Sequence, residues 1–492
     1  MAPSSAHDNL RERTVGGHPL GLLVLSGTQL WERLSFYGIQ VIVAYYIYYE
    51  AVNGGLGLPQ NIALGIVGSY GAGVYLAEPI GAWLADRIVA SRYVIIGGLA
   101  LIMTGHLSIA TTSGIAGLIL GLSFIILGTG LLFPNVRTLV AGLYENKPLK
   151  QDAGFALFYA AIMVGALIGP LITGFLQTRF GFHVAFSAAA FGMAIGLLIY
   201  LAGWKKLPES ASRVPNPLHS ASKRKYVIAI VLFGFFLALI TRYFVTLEIL
   251  PRILLVVTIA VSIAYFIIMV SSDKTSSSER RRVFAYIPVF VSGVVFWTLV
   301  LQLFTTFAVY ADLRVDMRIW SFEVPPAYIS SFEVIAGIVF SFLLAALWQK
   351  LGKKQPSTPA KMAVGLVLMA LAYGFFGILP FFYDGQISLW PVILGMIIFG
   401  AAEIIYAPLL YSITTQAAPQ AFRTQMMALQ GLSMAVGASL SGYVGNWFTA
   451  TASESVFFGI SALITLLTAL LLFGCAPLFR RVGITLMEPV KP

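Results

Sequence analysis

The sequence predicts an all-α protein that crosses a membrane many times. Of its 492 residues, 58% are hydrophobic and only 10% are charged, and the mean hydropathy is +0.87. Such values are typical of polytopic membrane proteins rather than of soluble ones. The charged residues gather between long apolar stretches. We therefore expect a bundle of transmembrane helices joined by polar loops.

Fourteen apolar stretches are each long enough for a transmembrane helix, which needs about 20 residues. They occupy residues 21–48, 61–85, 93–111, 116–143, 153–178, 184–203, 226–244, 250–270, 285–310, 327–349, 360–382, 390–413, 423–447 and 456–478. Polar linkers at 205–225 and 271–283 bracket the seventh and eighth stretches. Twelve core helices in two bundles of six around a midplane cavity are the architecture of the major facilitator fold, here with two additional helices.

The distribution of basic residues orients this bundle in the membrane. Most of the 31 Lys and Arg residues lie in alternate loops and in the tails, and such segments stay in the cytoplasm. Both termini are then cytoplasmic, as an even number of helices requires. We predict an N-terminal six-helix bundle at 1–203, linkers with two additional helices at 204–283, a C-terminal six-helix bundle at 284–478 and a cytoplasmic tail at 479–492.

Several function classes lack their sequence signals. The net charge of +11 follows membrane sidedness, so it does not indicate a nucleic-acid partner. The single cysteine, Cys475, cannot form an intrachain disulfide. The five His residues have no metal-ligand spacing, and no Gly-Lys-Ser/Thr phosphate loop is present. The sequence therefore predicts no metal, no cofactor and no enzyme site.

Two adjacent charges, Glu32 and Arg33, lie in the middle of the first apolar stretch. A charge at the centre of a bilayer costs about 2.5–3.5 kcal/mol on insertion scales. Such residues persist when they face a bundle interior or a water-filled cavity and have a partner. The pair therefore indicates a substrate or ion pathway.

The loop after the second stretch carries a second motif. Gly81, Asp86, Arg87 and Arg92 resemble the Gly-x-Leu-Ala-Asp-Arg loop motif of major facilitators, which is followed by a basic residue. Gly81 permits a close helix approach, and Asp86 can cap or pair across the cytoplasmic surface. We assign these four residues a gating role; the alternative is a solvated helix end.

The segment from Gln29 to Gly38 resembles the Glu-x-x-Glu-Arg-Phe-x-Tyr-Tyr-Gly signature of proton-coupled oligopeptide transporters. Matching segments follow in order along nearly the whole chain, namely Gly128–Val140, Phe158–Ala166, Gly181–Ala189, Phe296–Gln302, Glu403–Pro408 and Ala418–Met427. The two additional helices are typical of bacterial members. The resemblance implies a monomeric carrier of short peptides or similar small molecules in the bilayer of the bacterial inner membrane, with protons as the family's co-substrate.

Two departures from the family pattern concern its proton coupling. The first Glu of the signature is Gln29 here, and the family's fourth-helix Lys is Phe133. In the family that Glu and Lys interact and are tied to proton coupling. Losing both charges leaves no unpaired charge, whereas losing one alone would leave a charge unpaired in the membrane. Gln29 and Phe133 therefore indicate the removal of one ion pair; the alternative is two unrelated changes.

Other charged residues occupy the same half of the N-terminal bundle. Arg137 lies one turn after Phe133 on the same helix face. Glu78 occupies a position in the second helix that is typically uncharged in the family. We predict that Glu78, Arg137 and Glu32 form a substitute charge network; the alternative is an inert buried pair.

The resemblance also supplies candidate substrate contacts. Arg33 is expected to bind a carboxylate, and Glu403 an ammonium group. The family's fifth-helix Asn is Met163 here, and an eighth-helix Asn aligns with Glu333. The second carboxylate suits a cationic group. Further candidates are two tyrosines at family-like positions and two seventh-helix residues expected to face the cavity: Tyr37, Tyr75, Trp297 and Gln302.

These residues favour a secondary transporter of di- and tripeptides or peptide-like compounds that works by alternating access. Proton symport is the family mechanism, with Glu32 as the remaining candidate, but coupling is either rerouted, weakened or lost. The alternative keeps the fold and changes the cargo: Met163 and Glu333 would then mark a carrier or exporter of a basic amino acid or polyamine. A protein that does not transport, either a sensor or a membrane enzyme, is the third hypothesis.

Overall fold

The computed structural model describes residues 14–145, 148–219, 224–226, 228, 246–451 and 453–483. Most of these residues are helical, and we number the α-helices in chain order. They are α1 (Leu20–Tyr48), α2 (Gln60–Arg87), α3 (Ser91–Thr111), α4 (Ile115–Gly142), α5 (Pro148–Phe180), α6 (Phe182–Gly203), α7 (Leu250–Ser271), α8 (Ser277–Val300), α9 (Thr306–Arg314), α10 (Ile329–Leu351), α11 (Thr358–Ile378), α12 (Leu389–Ala417), α13 (Arg423–Ala450), α14 (Glu454–Gly474) and α15 (Ala476–Arg481).

The helices confirm the predicted all-α membrane architecture. Ten helical stretches in the described part of the chain are long and apolar enough to cross a membrane. Helices α1, α2 and α13 have comparable lengths of 29, 28 and 28 residues and carry more polar side chains. The stretch predicted at 226–244 lies, but for two residues, outside the described residues.

The stretch predicted as one helix at 285–310 is instead broken. Helix α8 ends at Val300, a 3-10 turn spans Leu301–Phe304, and α9 begins at Thr306. Between them Thr305 leaves the helical region, with φ −121° and ψ −88°. Breaks of this kind within the membrane are tolerated where the backbone is enclosed by protein.

Helix α8 also begins earlier than predicted, inside the segment 271–283 expected to be a linker. Ser276 caps it: the Ser276 side chain accepts from the Glu279 amide, and the Glu279 carboxylate accepts from the Ser276 amide at 2.9 Å. This reciprocal capping satisfies two backbone donors that a helix start otherwise leaves free. The cap explains why residues from Ser277 onward are helical despite their polarity.

Short strand pairs close the loops at the membrane surfaces. The six two-residue strands are β1 (Thr14–Val15), β2 (His18–Pro19), β3 (Val315–Asp316), β4 (Arg318–Ile319), β5 (Phe322–Glu323) and β6 (Ile387–Ser388). Pairs β1–β2 and β4–β5 are antiparallel hairpins, whereas β3 pairs in parallel with β6. The parallel pair ties the loop after α9 to the start of α12.

The two bundles meet mainly through α2 against α13 and through α5 against α10. Small residues allow the first contact: a Cβ at Gly68 would lie 2.8 Å from the carbonyl oxygen of Ala438. At the second contact, Tyr328 Oη donates to the Leu171 carbonyl at 3.0 Å. Close backbone approach at small residues is typical of membrane helix packing.

These contacts close one side of the molecule. Tyr48 and Tyr49, at the end of α1, both donate to the Asp312 carboxylate of α9, at 2.7 and 2.5 Å. This cluster, Gly68 and Tyr328 all lie in the half predicted to face outward. On the inner side, Tyr159 of α5 retains 49% of its surface. These contacts therefore close the outer side, and the Tyr159 side chain stays accessible on the inner side.

Candidate functional site

The two charges at the centre of α1 neutralise each other. Glu32 is fully buried and Arg33 is 5% exposed. Arg33 donates to both Glu32 oxygens, Nε to Oε2 at 2.5 Å and Nη2 to Oε1 at 2.7 Å. Gln29 Nε2 also donates to Glu32 Oε2, at 2.5 Å. The amide at position 29 therefore gives Glu32 a further hydrogen bond where a second carboxylate would repel it.

Phe133 contacts two guanidinium groups. The guanidinium carbon of Arg33 lies 4.5 Å from the centre of its ring, and that of Arg137 lies 3.8 Å from it. Cations over an aromatic face are attracted by the ring's negative face. Cations from α1 and from the next turn of α4 therefore pack against the aromatic group at position 133.

Arg137 and Glu78 form an ion pair between α4 and α2. Arg137 Nη2 donates to Glu78 Oε2 at 2.8 Å, and the two side chains are 35% and 18% exposed. Glu32, the third member of the predicted network, bonds instead to Arg33 and Gln29. The predicted network is therefore two separate ion pairs, and the Phe133 ring is their common neighbour.

Two carboxyl groups face this region from the C-terminal bundle. Glu333 of α10, which is 7% exposed, and Glu403 of α12 lie within hydrogen-bonding range of each other. Close helix packing at Gly400 brings them together, since a Cβ there would lie 2.5 Å from the carbonyl oxygen of Glu333. Glu333 of α10, which the sequence analysis aligned with an eighth-helix Asn of the family, therefore lies next to Glu403 and not at the outer surface.

Tyrosines connect the two halves of the site. The Tyr37 hydroxyl of α1 lies within electrostatic range of Arg33, Glu333 and Glu403. Tyr75 of α2 has Tyr37, Arg33 and Glu78 around it. We use "central site" for the space bounded by these groups, namely Arg33, Tyr37, Tyr75, Glu78, Glu333 and Glu403.

Two further tyrosines of the central site were missed among the sequence candidates. Tyr159 has Tyr37, Glu333 and Glu403 as electrostatic neighbours, and Tyr411 of α12 has Glu78 and Arg137. Tyr159 belongs to a segment that resembles the family's fifth helix, so that segment was the available signal. Tyr411 carries no comparable motif, and only the packing of α12 places it here.

Two candidates at the end of α8 and just after it, Trp297 and Gln302, are buried rather than open to the central site. Gln302 is fully buried in the 3-10 turn after α8, and neither polar atom of its side chain has a partner among the described residues. Trp297 is 6% exposed and packs edge-on against Phe296. The expectation that both face the cavity is therefore wrong for this conformation. Met163 is partly buried and packs on the hydrophobic core.

The predicted gating residues bond within their own half of the molecule. Gly81 lets α2 touch α4, and its carbonyl accepts from Asn135 Nδ2 at 3.2 Å. Asp86 accepts from Asn216 Nδ2 of the linker at 2.8 Å and pairs with Arg87 at 3.4 Å. Arg92 lies near the ring of Trp204, at 5.6 Å. In this conformation Asp86 therefore bonds to the linker.

The chain resembles known proteins over almost all of its length. The sequence model of the POT family matches residues 88–479. The chain belongs to the POT family. This POT protein is 36% identical over 482 residues to a di-/tripeptide transporter of Lactococcus lactis subsp. cremoris, covering 94% of the chain and 96% of the relative.

Solved structures of POT transporters share its fold. A variant of a peptide transporter in complex with alafosfalin superposes with a TM-score of 0.91 at 35% identity, covering 97% of this chain and 98% of that one. A POT family transporter in complex with 5-aminolevulinic acid superposes with a TM-score of 0.89 at 32% identity, covering 95% and 98%. The family and the major facilitator fold predicted from the sequence are therefore confirmed.

Proposed function

We propose that this POT protein transports di- and tripeptides, or peptide-like zwitterions, by alternating access of its two bundles. One observation carries the proposal. Arg33 of one bundle and Glu403 of the other both lie close enough to the Tyr37 hydroxyl to interact with it electrostatically. A zwitterionic peptide has a carboxylate for the first group and an ammonium for the second. The relative named as a di-/tripeptide transporter supports the same substrate class.

The remaining candidate residues take roles around this pair. Tyr37 and Tyr75 offer hydroxyls to the bound backbone, and Glu333 adds a second acceptor for the ammonium. The gating residues would control access from the inner face, namely Gly81, Asp86, Arg87 and Arg92. The alternative cargo, a basic amino acid or polyamine, has less support, because the ligands named for the related structures are a peptide-like compound and an amino acid.

Proton coupling, a monomeric state and the bacterial inner membrane are parts of the same proposal. Glu32 is the candidate proton carrier, because it is buried beside Arg33 and its protonation would release that guanidinium. A single chain supplies both bundles of the central site, so transport needs no second copy. In the proposed domain division, the N-terminal bundle (1–203) and the C-terminal bundle (284–478) each supply one face of the site. The linkers with the two additional helices occupy 204–283, and the tail occupies 479–492.

Uptake of a dipeptide library into liposomes, with and without an imposed pH gradient, tests the function. We expect accumulation of zwitterionic dipeptides, and strong losses in R33K and E403Q. The matched controls are R252K in the first turn of α7 and E248Q just before that helix, which change the same residue types at exposed positions. Uptake that no dipeptide supports, or equal loss in the controls, would contradict the proposal.

A further inference from the structure

Glu333 and Glu403 bring two acidic groups into contact inside the membrane-spanning part of the molecule. Their carboxyl groups face each other within hydrogen-bonding range, on helices held together at Gly400. Among the described residues, the ion pairs formed by Lys and Arg do not include either carboxyl group. Carboxylic acids hydrogen-bond to each other only when a proton lies between them.

Other ionisable groups face the pair from the opposite bundle. Tyr37 of α1 and Tyr159 of α5 are near both carboxyl groups, and Arg33 lies beyond Tyr37. A neutral phenol can donate to a carboxylate but brings no positive charge. Arg33 is already bonded to Glu32 through two of its nitrogens. In the described part of the chain, the two carboxyl groups therefore meet without a cation of their own.

We propose that Glu333 and Glu403 share one proton when the site is empty, and that the ammonium group of the substrate replaces this proton on binding. This rests on the proposed function, because it assigns the ammonium end of a peptide to Glu403. A shared proton and a bridging ammonium serve the same purpose: each places one positive charge and hydrogen-bond donors between two carboxylates. The net charge of the pair with its bridging cation is the same before and after the exchange.

The exchange balances without another reactant. The empty site holds one carboxylic acid and one carboxylate joined by a hydrogen bond. The incoming ammonium donates one N–H to each carboxylate, the O–H bond of the acid breaks, and the proton leaves to water. The electron pair of the O–H bond stays on the carboxylate oxygen, so nothing is oxidised or reduced. No other covalent bond changes. One proton is therefore released for each ammonium bound.

This exchange runs opposite to symport, in which proton and substrate bind together. A peptide leaving the pair would let it take up a proton again. Any symported proton must consequently reside elsewhere, and Glu32 is the buried carboxylate available in the N-terminal bundle. Glu333 is the residue that creates this behaviour, since the family's Asn at the aligned position has no proton to lose.

Calorimetric titration of the purified full-length protein with alanyl-alanine counts the protons. At pH 6 the peptide's amino group is already charged, since its ordinary pKa is about 7.7–8.0. The binding heat, compared between buffers of different ionisation enthalpy, gives the number of protons exchanged. We expect release of about one proton per peptide in the wild type and in E248Q. In E333N we expect binding with release close to zero.

Infrared difference spectroscopy of the empty protein tests the shared proton without any peptide. The wild type minus E333N spectrum should contain the carbonyl band of a protonated carboxylic acid. Absence of this band, net proton uptake, or equal proton release in E333N would each overturn the inference. Absence of peptide binding would instead overturn the proposed function, and the infrared band would still decide whether the proton is shared.

Discussion

The guanidinium carbon of Arg137 lies 3.8 Å from the centre of the Phe133 ring. Arg137 also pairs with Glu78, so this cation is held both by a carboxylate and by an aromatic face. Arg33 packs on the same ring at 4.5 Å. The aromatic residue at position 133 therefore organises two cations, and its replacement by a third cation would place like charges together.

Introducing a Lys at this position should therefore destabilise the protein. F133K loses two cation–aromatic contacts and adds a charge beside Arg33 and Arg137. We expect a loss of about 1–3 kcal/mol in the free energy of unfolding, measured in detergent by thermal unfolding. F133L serves as the control, because it removes the contacts and adds no charge.

The double variant Q29E/F133K introduces the Glu and Lys that the family resemblance implies for these two positions. If positions 29 and 133 changed together, this variant should be more stable than the sum of the two single variants predicts. A double-mutant cycle measures that coupling, and coupled neighbours typically differ from additivity by about 0.5–3 kcal/mol. Strict additivity would support two unrelated changes instead.

Weakening the Asp312 cluster should open the outer side. Hydrogen bonds to a charged group contribute about 1.5–3 kcal/mol each, and Asp312 accepts two of them from Tyr48 and Tyr49. In D312N a neutral amide replaces the carboxylate. We expect about tenfold faster labelling, from outside, of a cysteine introduced by M163C in a C475S background.

The control for this experiment is D384N, which alters an exposed acidic residue of another loop on the same side. Labelling of M163C should be unchanged in that variant. The single variants Y48F and Y49F each remove one hydrogen bond, so intermediate rates are expected from both. Equal labelling in D312N and in the parent protein would show that packing alone keeps the outer side closed.

Removing the Asn216 side chain should loosen the linker from the gating loop. Asn216 donates to the Asp86 side chain at 2.8 Å, and the Asn216 and Leu218 amides bond to the carbonyls of Asp86 and Arg87. We expect faster hydrogen exchange at amides 216 and 218 in N216A, consistent with the loss of about 0.5–1.5 kcal/mol. S212A, at an exposed linker position, should leave those rates unchanged.

Neutralising Glu78 tests whether its ion pair with Arg137 takes part in transport. The pair is partly exposed, so its contribution to stability is at most about 1 kcal/mol. In E78Q we expect reduced dipeptide uptake and a flatter pH dependence of uptake, with little change in thermal unfolding. E145Q, an exposed acidic residue after α4, is the control. Unchanged uptake and pH dependence would make the pair structural.

Hydropathy and charge pattern were enough to predict the bundle, because apolar spans and basic loops are local properties of the sequence. The Glu78–Arg137 contact was predicted because both charges fall in the same half of the N-terminal bundle, but the pairing of Glu32 with Arg33 and Gln29 instead of with this pair was not. The break between α8 and α9 was not predicted, since neither Pro nor Gly occurs at 300–306 to mark it. Tertiary packing, which local patterns do not encode, determines where that helix stops.

The burial of Gln302 shows the same limit at the site. A polar residue in a transmembrane stretch was expected to face the cavity, but the 3-10 turn directs it into the protein, where its amide has no partner in the described part of the chain. Tyr159 and Tyr411 were missed because tyrosines are common in such helices. Their membership of the central site depends on how the two bundles face each other.

The bond between Glu32 and Arg33 has a consequence for turnover. Because Arg33 already holds a carboxylate from its own chain, a peptide carboxylate that binds it exchanges one anion for another instead of satisfying a bare cation. The free-energy change of such an exchange is small in either direction. Such a balance favours turnover, because a substrate that binds too tightly dissociates slowly. The Glu32 carboxylate can displace the substrate carboxylate from Arg33 and so promote its release.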